Sequence, residues 1–370
     1  MKIAYIANSI IPGMSANSVH VMKMCEALKK NGADVTLIIS KHFGLEQSID
    51  EFAYYGIEEK FKILRVGFSK APYGIWNLLF SIWAIATAKK CGSDVIYTRS
   101  PIAARLLAMG NKEFIFEYHG VKFSKWYSEK KILHADNLRN FVVITNSLKD
   151  YYIKNYNLKE DKILVLPDAV NLDEYKKDGR PLFSEERLKL AYVGGLYQGR
   201  GVDIIIEMAK QDPDNDYLIV GGRKEQVEFW KKQLNGSIEN LTMMGQIPNA
   251  DVPDILLKQD ILLMPHQKHV GMNGEENIAN WTSPMKMFEY MASGRVILSS
   301  NLPVLQEILE DKKNAYLLKP DRVSEWLDKI KYISSHKEEA RAVARQAKED
   351  VKAYTWEKRT EKIIQILKAN

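Results

Sequence analysis

Two stretches of the chain place cations where backbone amides already favour an anion. The first is Ser283-Pro-Met-Lys-Met-Phe-Glu-Tyr-Met-Ala-Ser-Gly294. Ser283 is a capping residue type, Pro284 suits a first helical position where its missing N–H is not needed, and Gly294 can close the far end in a left-handed turn. At about 100° per residue, Met285, Met287, Phe288, Met291 and Ala292 cover most of the circumference, and Lys286, Glu289 and Ser293 share one polar stripe. Lys286 stands near the helix end that carries partial positive charge, an arrangement that favours a bound anion. Glu289 follows at roughly 4.5 Å along the axis, within reach of a group attached to that anion, such as a ribose hydroxyl. The alternative is a core helix in which Lys286 and Glu289 simply pair.

The second stretch is an apolar strand, 190–193, that runs into Gly194-Gly-Leu-Tyr-Gln-Gly199-Arg-Gly201 and then a helix. Glycines at a strand-to-helix turn let backbone N–H groups approach a phosphate, and Arg200 can grip one with two bonds. The spacing is neither the dinucleotide fingerprint nor a P-loop. Alone it could serve turn geometry only; with the start of the 283–294 helix it makes two positive ends in one domain, which suits a pyrophosphate. A third turn, Val220-Gly-Gly-Arg223, carries no evident chemistry. The long loop 265–280 lies just before the helix, and loops of that length in compact domains tend to be functional. Its polar residues could hold a sugar joined to the pyrophosphate. His266 and His269 with Glu275 or Glu276 match no standard metal-ligand spacing, so no metal is expected.

In the first half, Phe116-Glu-Tyr-His119-Gly120 ends a strand, and His119 could orient a sugar hydroxyl or a transferring group; an ordinary loop histidine is the alternative. Tyr97-Thr-Arg99 and Pro12-Gly-Met-Ser-Ala-Asn-Ser18 also follow strands and could frame an acceptor. Lys122, Lys125, Lys130 and Lys131 interleave with Phe123, Trp126 and Tyr127, a composition suited to an anionic membrane surface or to a solvated helix face. The apolar segment 75–88 is too short to span a bilayer and is expected as a core-facing helix, with an interfacial helix as the alternative.

These residues need a frame, and the hydrophobic pattern supplies one. Short apolar strands alternate with amphipathic helices over residues 2–166 and again from 190 onward, which predicts parallel, doubly wound α/β sheets with ligands near the carboxyl ends of strands. Residues 1–170 read as an N-terminal, acceptor-binding Rossmann-like domain and 188–354 as a C-terminal nucleotide-binding one. Pro, Asp, Asn and Gly mark 171–187 as a linker. The length of 370 residues fits two domains. Two cysteines and no signal-peptide pattern at Met1 point to a reducing, cytoplasmic setting, and a net charge of +6 without a nucleic-acid motif disfavours a nucleic-acid binder.

With the motifs in view, the chain resembles the GT-B glycosyltransferases, specifically the retaining family 4, over nearly all its length. The resemblance rests on the 283–294 stretch and on Val193-Gly-Gly-Leu-Tyr-Gln-Gly-Arg-Gly201, supported by Phe116-Glu-Tyr-His119, Thr98-Arg99, Leu166-Pro-Asp-Ala-Val-Asn171 and Thr355-Trp356. It implies two Rossmann-like domains facing each other across a cleft, with a final helix, about 355–370, crossing back onto the first. It implies transfer of a sugar from a nucleoside diphosphate donor with retention, without a metal or other cofactor, to a glycan or lipid-linked glycan during surface polysaccharide synthesis. Carried over, Glu289 binds the ribose; Lys286, Arg200 and the backbone around Gly194, Gly195, Ser283 and Pro284 bind the pyrophosphate; His119 meets the donor sugar. His119, Glu289, Lys286 and Arg200 are thus the expected catalytic set, and the leaving phosphate itself can take the acceptor's proton. The chain departs from the pattern at Trp281, where many members carry Glu; Glu275 or Glu276 would then supply the sugar contact. A peripheral contact with the inner face of the cell membrane is a further expectation. A nucleotide-sugar epimerase of the same fold and a non-catalytic sugar-nucleotide or glycan-binding subunit are the competing readings.

Overall fold

The structure is a computed structural model that describes residues 1–41, 49–67, 73–121, 128–234, 236, 238–271 and 277–369. Residues 1–168 with 356–370 form one compact unit and residues 169–355 form the other.

In the first unit, β1 (Lys2–Ile6), β2 (Asp34–Ser40), β3 (Lys62–Val66), β4 (Val95–Thr98), β5 (Phe114–Glu117), β6 (Leu138–Val143) and β7 (Ile163–Val165) lie side by side in the order β3-β2-β1-β4-β5-β6-β7. All neighbours are parallel. Strands covered by helices on both faces are buried along their whole length and mostly apolar, as in β4 and β5, whose last residues, Thr98 and Glu117, are the polar exceptions. The order reverses between β1 and β4, so the loops leaving those strands diverge and open a crevice.

The second unit repeats the pattern with β8 (Lys189–Val193), β9 (Asp216–Val220), β10 (Leu241–Met244), β11 (Ile261–Met264), β12 (Val296–Ser300) and β13 (Tyr316–Leu318), ordered β10-β9-β8-β11-β12-β13 and parallel throughout. Side chains alternate across the sheet. Leu190 and Tyr192 pack with Ile205, Met208 and Trp326 on one face; Ala191 and Val193 pack with Met287, Phe288 and Met291 on the other. The reversal falls between β8 and β11, which places the 194–201 turn beside the loop that begins at Pro265.

The sequence resolves nearly every element among the described residues, with two differences. Helix Met285–Ser293 has Pro284, in extended conformation, at its N-cap, and no side chain caps it; Ser283 lies one residue outside. The proline ring allows the extended cap as readily as the first turn, so the boundary moves by one. Gly294 does close the helix in the left-handed region, at φ 64°. The stretch 171–187 is folded into the second unit rather than strung outside it: Leu172–Tyr175 is a 3-10 helix, and Tyr175 and Phe183 are buried in the two core layers. Lys122, Phe123, Lys125, Trp126 and Tyr127 of the basic and aromatic patch lie outside the described residues.

The C-terminal helix Trp356–Lys368 belongs to the first unit. It buries Trp356, Thr360, Ile363, Ile364 and Leu367, a helical stripe, beside helix Ala16–Lys30. Asn31, just past that helix, donates to Glu357 O at 2.7 Å and to Thr360 Oγ1 at 2.8 Å. Helix Tyr73–Lys90 buries Phe80, Ser81, Ala84 and Ala88 but leaves Ile75, Leu78 and Ile82 exposed on its outer side.

Candidate active site

The 283–294 helix is pinned to the end of β8 by Tyr290, whose buried hydroxyl accepts from Val193 N at 2.8 Å. This sets the helix start against the glycine turn. Lys286 Nζ rests 3.7 Å from the centre of the Tyr192 ring, and a side chain at Gly194 would collide with it, its Cβ falling 2.2 Å from Nζ. Gly199 and Gly201 have φ of 83° and 80°, and a Cβ on either would lie 2.1 Å from the carbonyl oxygens of His269 and Pro265 respectively. These glycines let the turn lie flat on the 265–270 backbone, where Gln267 N donates to Gly199 O at 2.8 Å. Gly221, of the third turn, packs likewise against the Gly194 carbonyl, so its part is structural.

Arg200 is carried inward by that packing and is buried. It stacks on Tyr197, donates to the Tyr197 hydroxyl, and places Nη1 3.1 Å from His266 Nε2. A guanidinium only donates, so His266 Nε2 accepts and its Nδ1 carries the hydrogen. Among the described residues, Lys286 Nζ, Arg200 Nε and His266 Nδ1 are buried here without a hydrogen-bond partner. All are donors. Burial, then the Arg200 and Lys286 charges, holds His266 well below the usual imidazole value. Burial and Arg200 likewise hold Lys286 well below the usual lysine value, against the pull of Glu289. A group of unmatched buried donors is complementary to an anion. Glu289 and Lys286 both remain partly exposed, one turn apart.

Sequence reasoning placed Gly194, Gly195, Arg200, Pro284 and Lys286 here but weighed His266 only as a metal ligand; its position directly after β11, at the strand-order reversal, was the available signal. Trp281 is half-buried behind the 3-10 turn Ile278–Asn280. Glu275 and Glu276 lie outside the described residues.

The first unit holds a second cluster at the carboxyl ends of its strands. Glu117, the last residue of β5, is fully buried. Its carboxylate accepts from Arg359 Nη2 at 2.9 Å, from His119 Nε2 at 2.5 Å and from the Tyr97 hydroxyl. Arg99 Nη2 lies 2.9 Å from His119 Nδ1. Because arginine donates there, Nδ1 is the acceptor and Nε2 carries the hydrogen given to Glu117. His20 Nδ1 is 2.9 Å from Asp168 Oδ1, and its Nε2 lies 3.0 Å from Glu117 Oε1 without hydrogen-bond alignment. Burial, then the Arg99 charge, lowers the His119 imidazole to about 4. Burial works to raise Glu117, but Arg359 first and then His20 and His119 hold it well below the usual carboxylate range. The ligand atoms of His20, Glu117 and His119 lie within 4.8 Å of one another, a spacing a metal could bridge. Two guanidiniums already occupy that carboxylate and imidazole, so the electrostatics fit an ion-pair network rather than a cation.

Comparison with known proteins gives this geometry its context. The sequence pattern "Glycosyl transferases group 1" matches residues 173–350, and "Glycosyltransferase Family 4" matches residues 18–174. An uncharacterized glycosyltransferase of Methanocaldococcus jannaschii is 23% identical over 210 residues, 56% of this chain and 54% of that protein. The match thus spans about half of that relative's length. A putative teichuronic acid biosynthesis glycosyltransferase of Bacillus subtilis is 28% identical over 122 residues, 33% of this chain and 29% of that one. The crystal structure of Anabaena HepE in complex with UDP-glucose superposes with a TM-score of 0.74 at 14% identity, covering 100% of both chains.

The two parallel doubly wound units define a GT-B fold. The chain belongs to the group 1 glycosyltransferases, with a family 4 N-terminal half.

Proposed function

We propose that the protein transfers a sugar from a nucleoside diphosphate sugar to a glycan acceptor during surface polysaccharide synthesis, with retention of configuration and without a metal. The observation that carries this reading is the set of unpartnered buried donors, Lys286 Nζ, Arg200 Nε and His266 Nδ1, at the strand-order reversal of the second unit. They match a diphosphate and would stabilise it as a leaving group, the part a metal otherwise plays. Glu289, one turn further along the helix, takes the ribose hydroxyls. His119 meets the transferred sugar: with Nε2–H committed to Glu117, its Nδ1 accepts a hydroxyl in place of Arg99, whose Nη1 has no partner.

Neither His119 nor Glu117 is free to attack a sugar carbon, since both are held in hydrogen bonds. This supports a mechanism in which the departing phosphate accepts the acceptor's proton and the protein supplies position and charge. HepE's complex with UDP-glucose makes a uridine diphosphate sugar the first donor to try, and the teichuronic acid relative motivates a cell-surface glycan acceptor.

The outer side of helix Tyr73–Lys90 supports a lipid-linked acceptor met at a membrane face. Ile75, Leu78 and Ile82 are exposed there, the helix contains no acidic residue, and Lys89 and Lys90 close it. Lys130 and Lys131 are also exposed. Among the described residues no helix is long and apolar enough to cross a membrane.

One experiment tests the whole reading. A thermal-shift screen against UDP-, GDP-, ADP- and dTDP-sugars identifies the donor, because a ligand of the native state raises the melting temperature. The stabilising donor is then assayed with a lipid-free glycan and with a lipid-linked glycan in anionic vesicles. Transfer with retained anomeric configuration, faster in the vesicles, is expected. Epimerised sugar without acceptor, or binding without turnover, refutes it.

A further inference from the structure

The network around Glu117 draws on the far end of the chain. Arg359, from the C-terminal helix, is buried and makes five contacts: Pro167 O at 2.9 Å, Leu166 O at 3.1 Å, Met24 Sδ at 2.8 Å, and Glu117 Oε1 and Oε2 at 2.9 and 3.4 Å. The two carbonyls fix the guanidinium plane at the end of β7, so its remaining face is aimed at β5. The contacts reach past the helix's own apolar stripe. Arg359 is therefore an outsider to β5 that is held as rigidly as a core residue.

Its position has a consequence for His119. A buried carboxylate needs matching positive charge; without Arg359, Glu117 keeps only Arg99 Nε at 3.9 Å, beyond hydrogen-bond reach, and a proton on the imidazole in contact with it, His119 at 2.5 Å, becomes the nearer source. We propose that Arg359 is a positioning residue for His119, its guanidinium satisfying Glu117 so that Glu117 fixes the imidazole as the neutral Nε2–H form with Nδ1 facing Arg99. This rests on the reading above for the part His119 plays in transfer, but the arrangement itself can be tested without substrate. The groups facing His119 are Glu117 on its own strand end, Arg99 after β4, His20 at 5.2 Å on helix Ala16–Lys30, and Asp168 after β7. Tyr97 and Arg359 act on it through Glu117.

Neutral Nδ1 is the useful atom, because only its lone pair can accept a sugar hydroxyl. Protonation would fill that lone pair and turn the ring from acceptor to donor. The C-terminal helix thus sets the chemistry of a histidine some 240 residues away in sequence, a separation read directly from Arg359 and His119.

The test is ¹⁵N NMR of the histidine ring in the full chain, titrated from pH 4 to 8, for the native protein, Arg359→Gln and Arg359→Lys. In the native protein His119 is expected as the Nε2–H tautomer, neutral down to about pH 5. In Arg359→Gln its titration should move up by at least one pH unit, and Arg359→Lys should bring it part of the way back. Transfer by Arg359→Gln should lose kcat at least tenfold at pH 6 with an upward-shifted acid limb, while the KM for the donor stays within twofold. A purely structural role would lower melting temperature without moving the titration.

An unshifted His119 in a folded Arg359→Gln, or unchanged kcat, overturns the proposal. If Arg359→Gln does not fold, Arg359→Lys carries the comparison. Native His119 found protonated at pH 7, or as the Nδ1–H tautomer, overturns it outright. Should the native protein transfer no sugar, the functional reading fails while the NMR result still decides the arrangement.

Discussion

Replacing Lys286 by methionine should make the unliganded protein more stable and nearly abolish donor binding. The side chain stays unbranched, shortens by one atom and loses its charge. In the native fold Lys286 Nζ is buried without a hydrogen-bond partner among the described residues, close to Arg200. An unsatisfied buried donor costs about 1–3 kcal/mol. Its contact with the Tyr192 ring, at 3.7 Å, returns about 1 kcal/mol. The lowered lysine pKa points the same way, because burial and Arg200 disfavour the charged form more than Glu289 favours it.

A net gain of up to about 2 kcal/mol in a unit of this size, residues 169–355, raises its melting temperature by up to roughly 8 °C. Binding should move the other way. Removing one partner of a desolvated charge pair costs about 2–5 kcal/mol. At tenfold per 1.4 kcal/mol, affinity for UDP falls by roughly 30-fold to several thousandfold. Differential scanning calorimetry without ligand and isothermal titration with UDP read the two effects. A lowered melting temperature together with a Kd changed less than tenfold would refute the assignment of an anion site built around an unsatisfied lysine.

Other outcomes follow from the same geometry. Diphosphate binding restores the Lys286 ammonium, so above its depressed pKa the complex takes up a proton; affinity should fall as pH rises, and calorimetry in buffers of different ionisation enthalpy should show uptake, with zero or negative values counting against it. Glu289→Gln should weaken UDP binding by about tenfold while leaving inorganic pyrophosphate binding unchanged, consistent with the loss of about 1.5 kcal/mol for hydrogen bonds to a charged group; equal losses for both ligands would place Glu289 on the phosphates instead of the ribose.

Much of the frame was legible before any coordinates. Strand and helix alternate where the apolar periodicity changes, because buried parallel strands and amphipathic helices leave different local patterns. The Gly194–Gly201 turn and the 283–294 helix were legible for the same reason: glycine, proline and a cation at a helix start act on their own few residues of backbone. Even the helix ending at Gly294 needed only the left-handed freedom of one residue.

What the sequence did not reveal is which distant side chains share a site. His266 was weighed only as a metal ligand until the reversal of strand order between β8 and β11 set it against Arg200. His20, Glu117, Asp168 and Arg359 come from four separate elements and meet only because β1, β4 and β5 lie adjacent and the last helix returns to the first unit. Their ionisation is likewise tertiary: the same Glu and His in an exposed loop would titrate ordinarily, whereas burial among fixed guanidiniums sets which of them holds a proton. Local residue chemistry therefore determined the elements and the anion-favouring turn, and the tertiary fold decided the partners, since low-dielectric contact between distant residues exists only after the sheets are assembled.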